Sequence, residues 1–142
     1  MCSSDLVRLL MDEADEITGD VENLLITATK LSIEEVFNIV DEVGGIAIPA
    51  HVDRDSYSIL SNLGGIPKGL PVKNIELSGN CDMESFLSEH SELGNFAILR
   101  NSDAHYLWDI SERNNYIETE QKITDAQGVI KLLRELPAYN TL

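Results

Sequence analysis

Short apolar runs and amphipathic stretches alternate along most of the chain, and that alternation is the first evidence of its architecture. Ile46–Ala50 is apolar and of strand length, Val72–Leu77 is a second strand candidate, and Asn95–Leu99 is a third. Helical signals fall between and around them. Ser32-Ile33-Glu34-Glu35 is a capping box, with Val36, Ile39 and Val40 as the stripe to be buried, and the helix it opens should reach about Val43 before Gly44-Gly45 stops it. Ser56–Leu63 predicts one or two helical turns closed by Gly64-Gly65, and Pro67–Pro71 is rich in turn formers. Asp82–His90 predicts a short helix with Met83, Phe86 and Leu87 inward. Trp108–Arg113 reads as irregular or a single turn, and Tyr116–Thr119 is compatible with a strand. Thr124-Asp125-Ala126-Gln127 is a second capping box, opening a last helix with Val129, Ile130, Leu132 and Leu133 on its apolar side. An alternating series of this kind implies α/β structure with parallel strands and crossover helices, hence a sheet or barrel.

The N-terminal stretch is harder to assign. Leu6, Val7, Leu9, Leu10 and Ala14 fit one helical face, with the acidic run Asp12–Glu16 as its solvated side and Gly19-Asp20 as its break. Leu24–Ala28 is apolar and fits either a short strand or the start of a helix. Length sets one domain as the expectation for residues 1–142, since a chain of 142 residues with 43% hydrophobic content can bury roughly 68–70% of its unfolded surface.

Charge removes several classes of partner. With 10 basic and 25 acidic residues the net charge is −15, which repels nucleic acid and anionic membrane alike. A small phosphorylated substrate held through metal remains compatible. Cys2 and Cys81 are too few and too far apart for a disulfide framework, and no apolar run is long enough to span a bilayer, so a reducing cytoplasm is the expected setting.

The candidate chemistry sits where the apolar runs end. His51, Asp53 and Arg54 follow the first, and Arg100-Asn101-Ser102-Asp103-Ala104-His105 follows the third. Ligands bind at the carboxyl ends of parallel strands, so polar residues there tell more than the same residues on a helix face. Asp103 and His105, at i and i+2, point to the same side if the segment is still extended, and a carboxylate with an imidazole suits zinc, manganese or iron. Arg54 is placed to clamp a phosphoryl oxygen. Taken singly these residues have plainer readings, with Asp103 capping the turn after the strand and His51 as a hydrogen-bonded structural residue. Their joint occurrence after two strand candidates favours a site. His90 suits the dipole at a helix end, and Glu76 reads as a structural or solvated carboxylate, or as one that supports a ligand from behind.

Ala47-Ile48-Pro49-Ala50-His51-Val52-Asp53-Arg54, Ile75-Glu76-Leu77-Ser78 and Asn101-Ser102-Asp103-Ala104-His105 resemble, in content and order, the later motifs of the polymerase and histidinol phosphatase (PHP) domain family. The resemblance covers the chain from about Leu24 to its end. It implies a distorted β/α barrel whose C-terminal mouth holds two or three zinc, manganese or iron ions and hydrolyses phosphoesters. On that basis His51, Asp103 and His105 correspond to metal ligands, Asp103 and His105 belong to the catalytic centre, and Arg54 holds substrate phosphate.

The chain departs from the family pattern in two ways. Val52 stands where the family usually has proline, and no histidine precedes His51, whereas the family opens with a His-x-His pair. The expectation is therefore the C-terminal portion of a PHP-type (β/α) barrel: a metal-dependent phosphoesterase domain acting on a small phosphorylated substrate, weakly active or inactive without an N-terminal half that would supply further ligands. The alternative expectation is a non-catalytic half-barrel module that self-associates or binds a partner to cover its open sheet edges.

Overall fold

A computed structural model describes residues 8–21, 28–111, 114–120 and 122–141. The chain, expected from its length to be one domain, divides into two compact units, residues 1–32 and 33–142. Leu24–Ala28 lies almost wholly outside the described residues.

In the first unit the described chain is a β-hairpin and not the expected helix. Strand β1 (Arg8–Met11) pairs antiparallel with β2 (Ile17–Val21), with an irregularity between Leu10 and Met11. The acidic run is the turn itself. Asp12 accepts from the amides of Ala14 and Glu16 through one carboxylate oxygen, at 2.9 and 3.0 Å, and its own amide donates to the Glu16 carbonyl at 3.0 Å. Asp15 takes a left-handed φ of 60°. Aspartate offers nearby amides a local partner that competes with a helix, and Ile17 and Thr18 beyond the turn favour the extended chain.

The second unit begins with helix α1 (Ile33–Glu42), directly after Ser32 as expected. Its inward stripe is Ile33, Val36, Phe37 and Val40, with Phe37 buried, while Ile39, expected inward, is exposed. Positions i, i+3, i+4 and i+7 share a face, and Ile39 stands two residues off it. The helix closes through Gly44 at φ 75° and a Gly45 amide bonded to the Val40 carbonyl at 2.8 Å.

Ile46–Ala50 runs beside the sheet without forming the expected regular strand. Strand β3 (Asn74–Ser78) pairs parallel with β4 (Ala97–Asn101), joining Glu76 to Leu99 and Ser78 to Asn101. On the other side of β3, Glu76 alone bonds the earlier segment: its amide donates to Pro49 O at 2.9 Å and its carbonyl accepts from Val52 N at 2.8 Å. This is a parallel ladder with one extra residue in the partner. Pro49 has no amide to donate and His51 turns back at φ 32°, so the ladder cannot extend.

Helix α2 (Ile59–Leu63) is capped by Ser58, whose hydroxyl accepts from Ser61 N, and ends at a left-handed Gly64. Helix α3 (Met83–Glu89), capped by Asp82, crosses between β3 and β4 with Met83, Phe86 and Leu87 against the core. A single-turn helix at Ser91–Asn95 follows, which is why β4 starts two residues later than expected. Tyr116–Thr119 is irregular rather than a strand. Helix α4 (Ala126–Glu135) is capped by Asp125, not by Thr124, and Val129 on it is exposed while Ile130, Leu132 and Leu133 are partly buried.

The core of this unit gathers Phe37, Val52, Val72, Ile75, Leu77 and Leu93. Two polar ties hold α4 in place. Asn74, fully buried, donates to Leu133 O at 2.9 Å, and Arg134 reaches Asp41 at 2.8 Å and Gly45 O at 2.6 Å. No described helix is long and apolar enough to cross a membrane.

Candidate functional site

Parallel pairing of β3 and β4 sends both strands out of the sheet at the same end, and the loop after Ala50 arrives there too. Its path is set by two acidic side chains. The Asp53 carboxylate accepts from Ser78 N at 2.7 Å and from the Ser78 hydroxyl, fastening the loop to the end of β3. Asp53 therefore spends both oxygens on structure. Glu76 joins the same end from below: one carboxylate oxygen accepts from Asn101 at 2.6 Å and the other from His51 N at 3.4 Å. This is a structural carboxylate that positions the backbone of His51 and the end of β4 together.

Arg54 follows a turn closed by its amide on the His51 carbonyl, 3.0 Å away. From there its guanidinium pairs with the Asp103 carboxylate at 2.9 Å. Asp103 lies beyond the end of β4 at φ 51°, so the segment is no longer extended and the simple i, i+2 argument for Asp103 and His105 does not apply. A different contact brings them together. His105 Nδ1 is 2.8 Å from the Asp103 backbone carbonyl. A carbonyl only accepts, so Nδ1 carries the proton and Nε2 of the neutral ring keeps its lone pair.

Arg54, Ser78, Arg100, Asp103, His105 and Tyr106 line one cleft of about 950 Å³. His51 is not among its lining residues. Its ring is half-buried, and Nδ1 is buried without a hydrogen-bond partner among the described residues. Three of the four expected site residues thus share the cleft and His51 does not. His90 keeps to its expected place, ending α3 with its ring against Phe86, 4.7 Å between centroids.

Arg100 entered the sequence reading only as the start of the run to His105, with no role given, and Tyr106 went unremarked. Arg100 is the fourth residue of β4, and its guanidinium donates to the carbonyls of Gly79 and Cys81 at 2.6 and 3.0 Å. Adjacency to the Asp-x-His pair was the signal available for both. Cys81, close by, has its thiol pushed above the ordinary 9.0, by burial first and then by the Asp53 carboxylate, with Arg100 pulling the other way.

Comparison with known proteins finds no match. No family model, no curated protein and no solved structure aligns with the chain. The site is therefore read from its chemistry.

As a metal centre the donor types fit and their gathering is partial. His105 has a free Nε2, Asp103 a carboxylate, and His51 an unpartnered buried nitrogen. Among the described residues no three histidine, cysteine, aspartate or glutamate side chains are grouped closely enough to hold an ion. The cleft is otherwise lined by Arg54 and Arg100, by serine and asparagine side chains and by the acidic Asp109, so its arginines and neutral donors suit an anion while Asp109 opposes one.

Proposed function

We propose that this chain carries the anion-binding part, and some of the metal ligands, of a divalent-metal-dependent phosphoesterase site for a small phosphorylated substrate. The observation that carries the reading is the convergence of Arg54, Asp103 and His105 on one cleft at the common end of two parallel strands. The resemblance to the PHP family supports the same reading independently of the geometry.

Each residue has a role that follows from its surroundings. Arg54 donates to phosphoryl oxygens, its planar fork suiting two oxygens at once. Asp103 and His105 would hold a zinc, manganese or iron ion through a carboxylate oxygen and Nε2, with His51 as a further imidazole donor. A bound divalent ion lowers the pKa of its water and offsets charge on the phosphoryl group. His105 is kept in the ligand-ready tautomer by the Asp103 carbonyl, the usual device of a metal-binding histidine. Three protein donors suffice for one catalytic zinc at most, whereas the two- or three-ion centre that the resemblance implies needs more, so on this reading turnover is weak until a second copy or another chain adds donors.

The test is metal content after reloading with zinc or manganese, compared across the parent, His51→Ala, Asp103→Ala and His105→Ala. Near-stoichiometric metal in the parent, lost in the variants, supports the reading. Equal metal in all four counts against it.

A second reading is a non-catalytic module that pairs with itself or a partner. It is favoured by the free edge of β4, which pairs only with β3 among the described residues, and by Leu107, Trp108 and Ile110 at 84, 81 and 63% exposure. Sedimentation at tens of micromolar decides it: a strictly monomeric species ends the self-association version. Nucleic acid is disfavoured by the charge of −15.

A further inference from the structure

Strand β4 pairs on one side only among the described residues. In a parallel pair the N–H and C=O of one residue point the same way, and successive residues alternate. The Ala97 amide donates to Lys73 O at 3.0 Å, so Ala97, Leu99 and Asn101 turn their main chain toward β3 while Ile98 and Arg100 turn theirs away. No other described segment bonds those outward groups. Two residues before Ile98 the same edge is already in use. Phe96 O accepts from the Tyr139 amide at 3.0 Å, and the chain then leaves in a tight turn at Tyr139–Thr141.

We propose that this edge receives a short extended segment of another protein as a third strand, apolar in its middle and flanked by lysine or arginine. This rests on the second reading above, names its partner, and stands apart from the phosphoester reading. The main chain specifies the kind of occupant. Acceptors at Phe96, Ile98 and Arg100 recur at the two-residue period of a strand, and the backbone of an extended chain is what matches that spacing. The space agrees. Residues 98–101 and residues 114–117 line one cavity of about 730 Å³, so the edge lies in a slot, and Met83 of α3 and Leu133 of α4 give the slot apolar surface. With a rise of ~3.3 Å, a strand spacing of ~4.8 Å and ~10 Å from face to face, an extended residue takes about 160 Å³, so about four residues fit. A net charge of −15 supplies the preference for basic flanks.

The rival occupant is the β4 edge of a second copy. Charge disfavours it, because two chains of −15 repel one another. Access disfavours it as well: an edge that shares a slot with residues 114–117 is reached by a single free chain more readily than by another folded sheet.

The experiment is amide hydrogen exchange of the full chain, alone and with the end-blocked peptide Lys-Lys-Val-Ile-Val-Thr-Lys-Lys, together with fluorescence anisotropy of the labelled peptide. In the free protein the Ile98 and Arg100 amides should exchange roughly tenfold or more faster than that of Leu99, which is bonded within the ladder, and the peptide should slow both by a similar factor. The same peptide with proline in place of its isoleucine should bind roughly tenfold more weakly, the scale of a lost hydrogen bond whose partner is left unpaired. Glutamate in place of the lysines should weaken binding too, by a margin that shrinks as salt is raised. Absence of peptide binding, equal binding of the proline or glutamate peptide, or binding that leaves Ile98 and Arg100 exchange unchanged overturns the proposal. Protection that grows with protein concentration, with a dimer in sedimentation, puts a second copy on the edge, so the proposal fails while the second reading stands. Slow exchange at Ile98 and Arg100 in the free monomer means that the edge is already covered and overturns both.

Discussion

The guanidinium of Arg54 and the carboxylate of Asp103 are 2.9 Å apart, although 49 positions separate them in the chain, and this pair ties the loop after His51 to the loop after β4. It places the proposed anion-binding group and an expected metal ligand in one cleft, each holding the other.

The pair is worth little to folding. Arg54 is 45% exposed and Asp103 26%, and ion pairs with such access to water contribute about 0–1 kcal/mol. Arg54→Gln should therefore lower unfolding stability by less than about 1 kcal/mol in urea, while weakening inorganic phosphate binding by roughly tenfold or more, as expected for the loss of a charged hydrogen-bond donor. Loss of stability and of binding in step would mean that Arg54 acts as a structural brace.

His51 is constrained through its backbone as well as its ring. At φ 32° a residue without glycine's freedom is strained, and a β-branched one most of all. His51→Val should destabilise the protein by about 1–3 kcal/mol relative to His51→Asn, which tolerates the left-handed region. Both lose the imidazole donor, so both should lose metal equally. Chemical denaturation ranks the first effect and metal content the second, and a Val variant as stable as the Asn variant would remove the strain argument.

Asn74 is the polar tie between β3 and the end of α4. It is fully buried, and its amide donates to Leu133 O. Asn74→Ala leaves that carbonyl only a long bond from Leu136 N at 3.4 Å and should lower stability by about 1 kcal/mol, and Asn74→Asp by more, because a carboxylate in that place cannot donate and would carry its charge out of water. An Asp variant more stable than the Ala variant would show that the site admits water.

Cys81 supplies a pH prediction whose sign is fixed. Its folded-state pKa is raised above 9.0, by burial first and then by Asp53, so the folded protein favours the neutral thiol. The contribution to stability is fully present below pH 9.0 and is lost as pH rises through the higher folded value. In a Cys2→Ser background, iodoacetamide should label Cys81 more slowly at pH 8 than it labels the urea-unfolded chain, and Asp53→Asn should narrow the difference. Equal rates for folded and unfolded protein would refute it.

Local signals located most of the elements because their causes are local. The capping serine and aspartates, the paired glycines after α1 and α2, and the apolar runs of β3 and β4 are each decided within a few residues. Errors came where one local pattern had two outcomes. Leu9 and Leu10 fit a helix face as well as a strand, and the turn formed by Asp12 decided for the hairpin. Ile46–Ala50 has strand composition, but a missing proline amide and the turn at His51 keep it from completing a ladder.

For the site, the residue types and their place at strand ends were open to inspection along the chain, since a histidine or arginine after an apolar run needs no neighbours to be noticed. Which of them meet was decided only in three dimensions. Asp53 turned out to be consumed by Ser78, Asp103 to face Arg54, and Tyr106 to join the cleft under a Trp108 stack. Those outcomes depend on the parallel register of β3 and β4 and on left-handed turns at His51 and Asp103. Side-chain direction at a loop is set by backbone angles that the packed sheet imposes, and residue identity alone carries no trace of them.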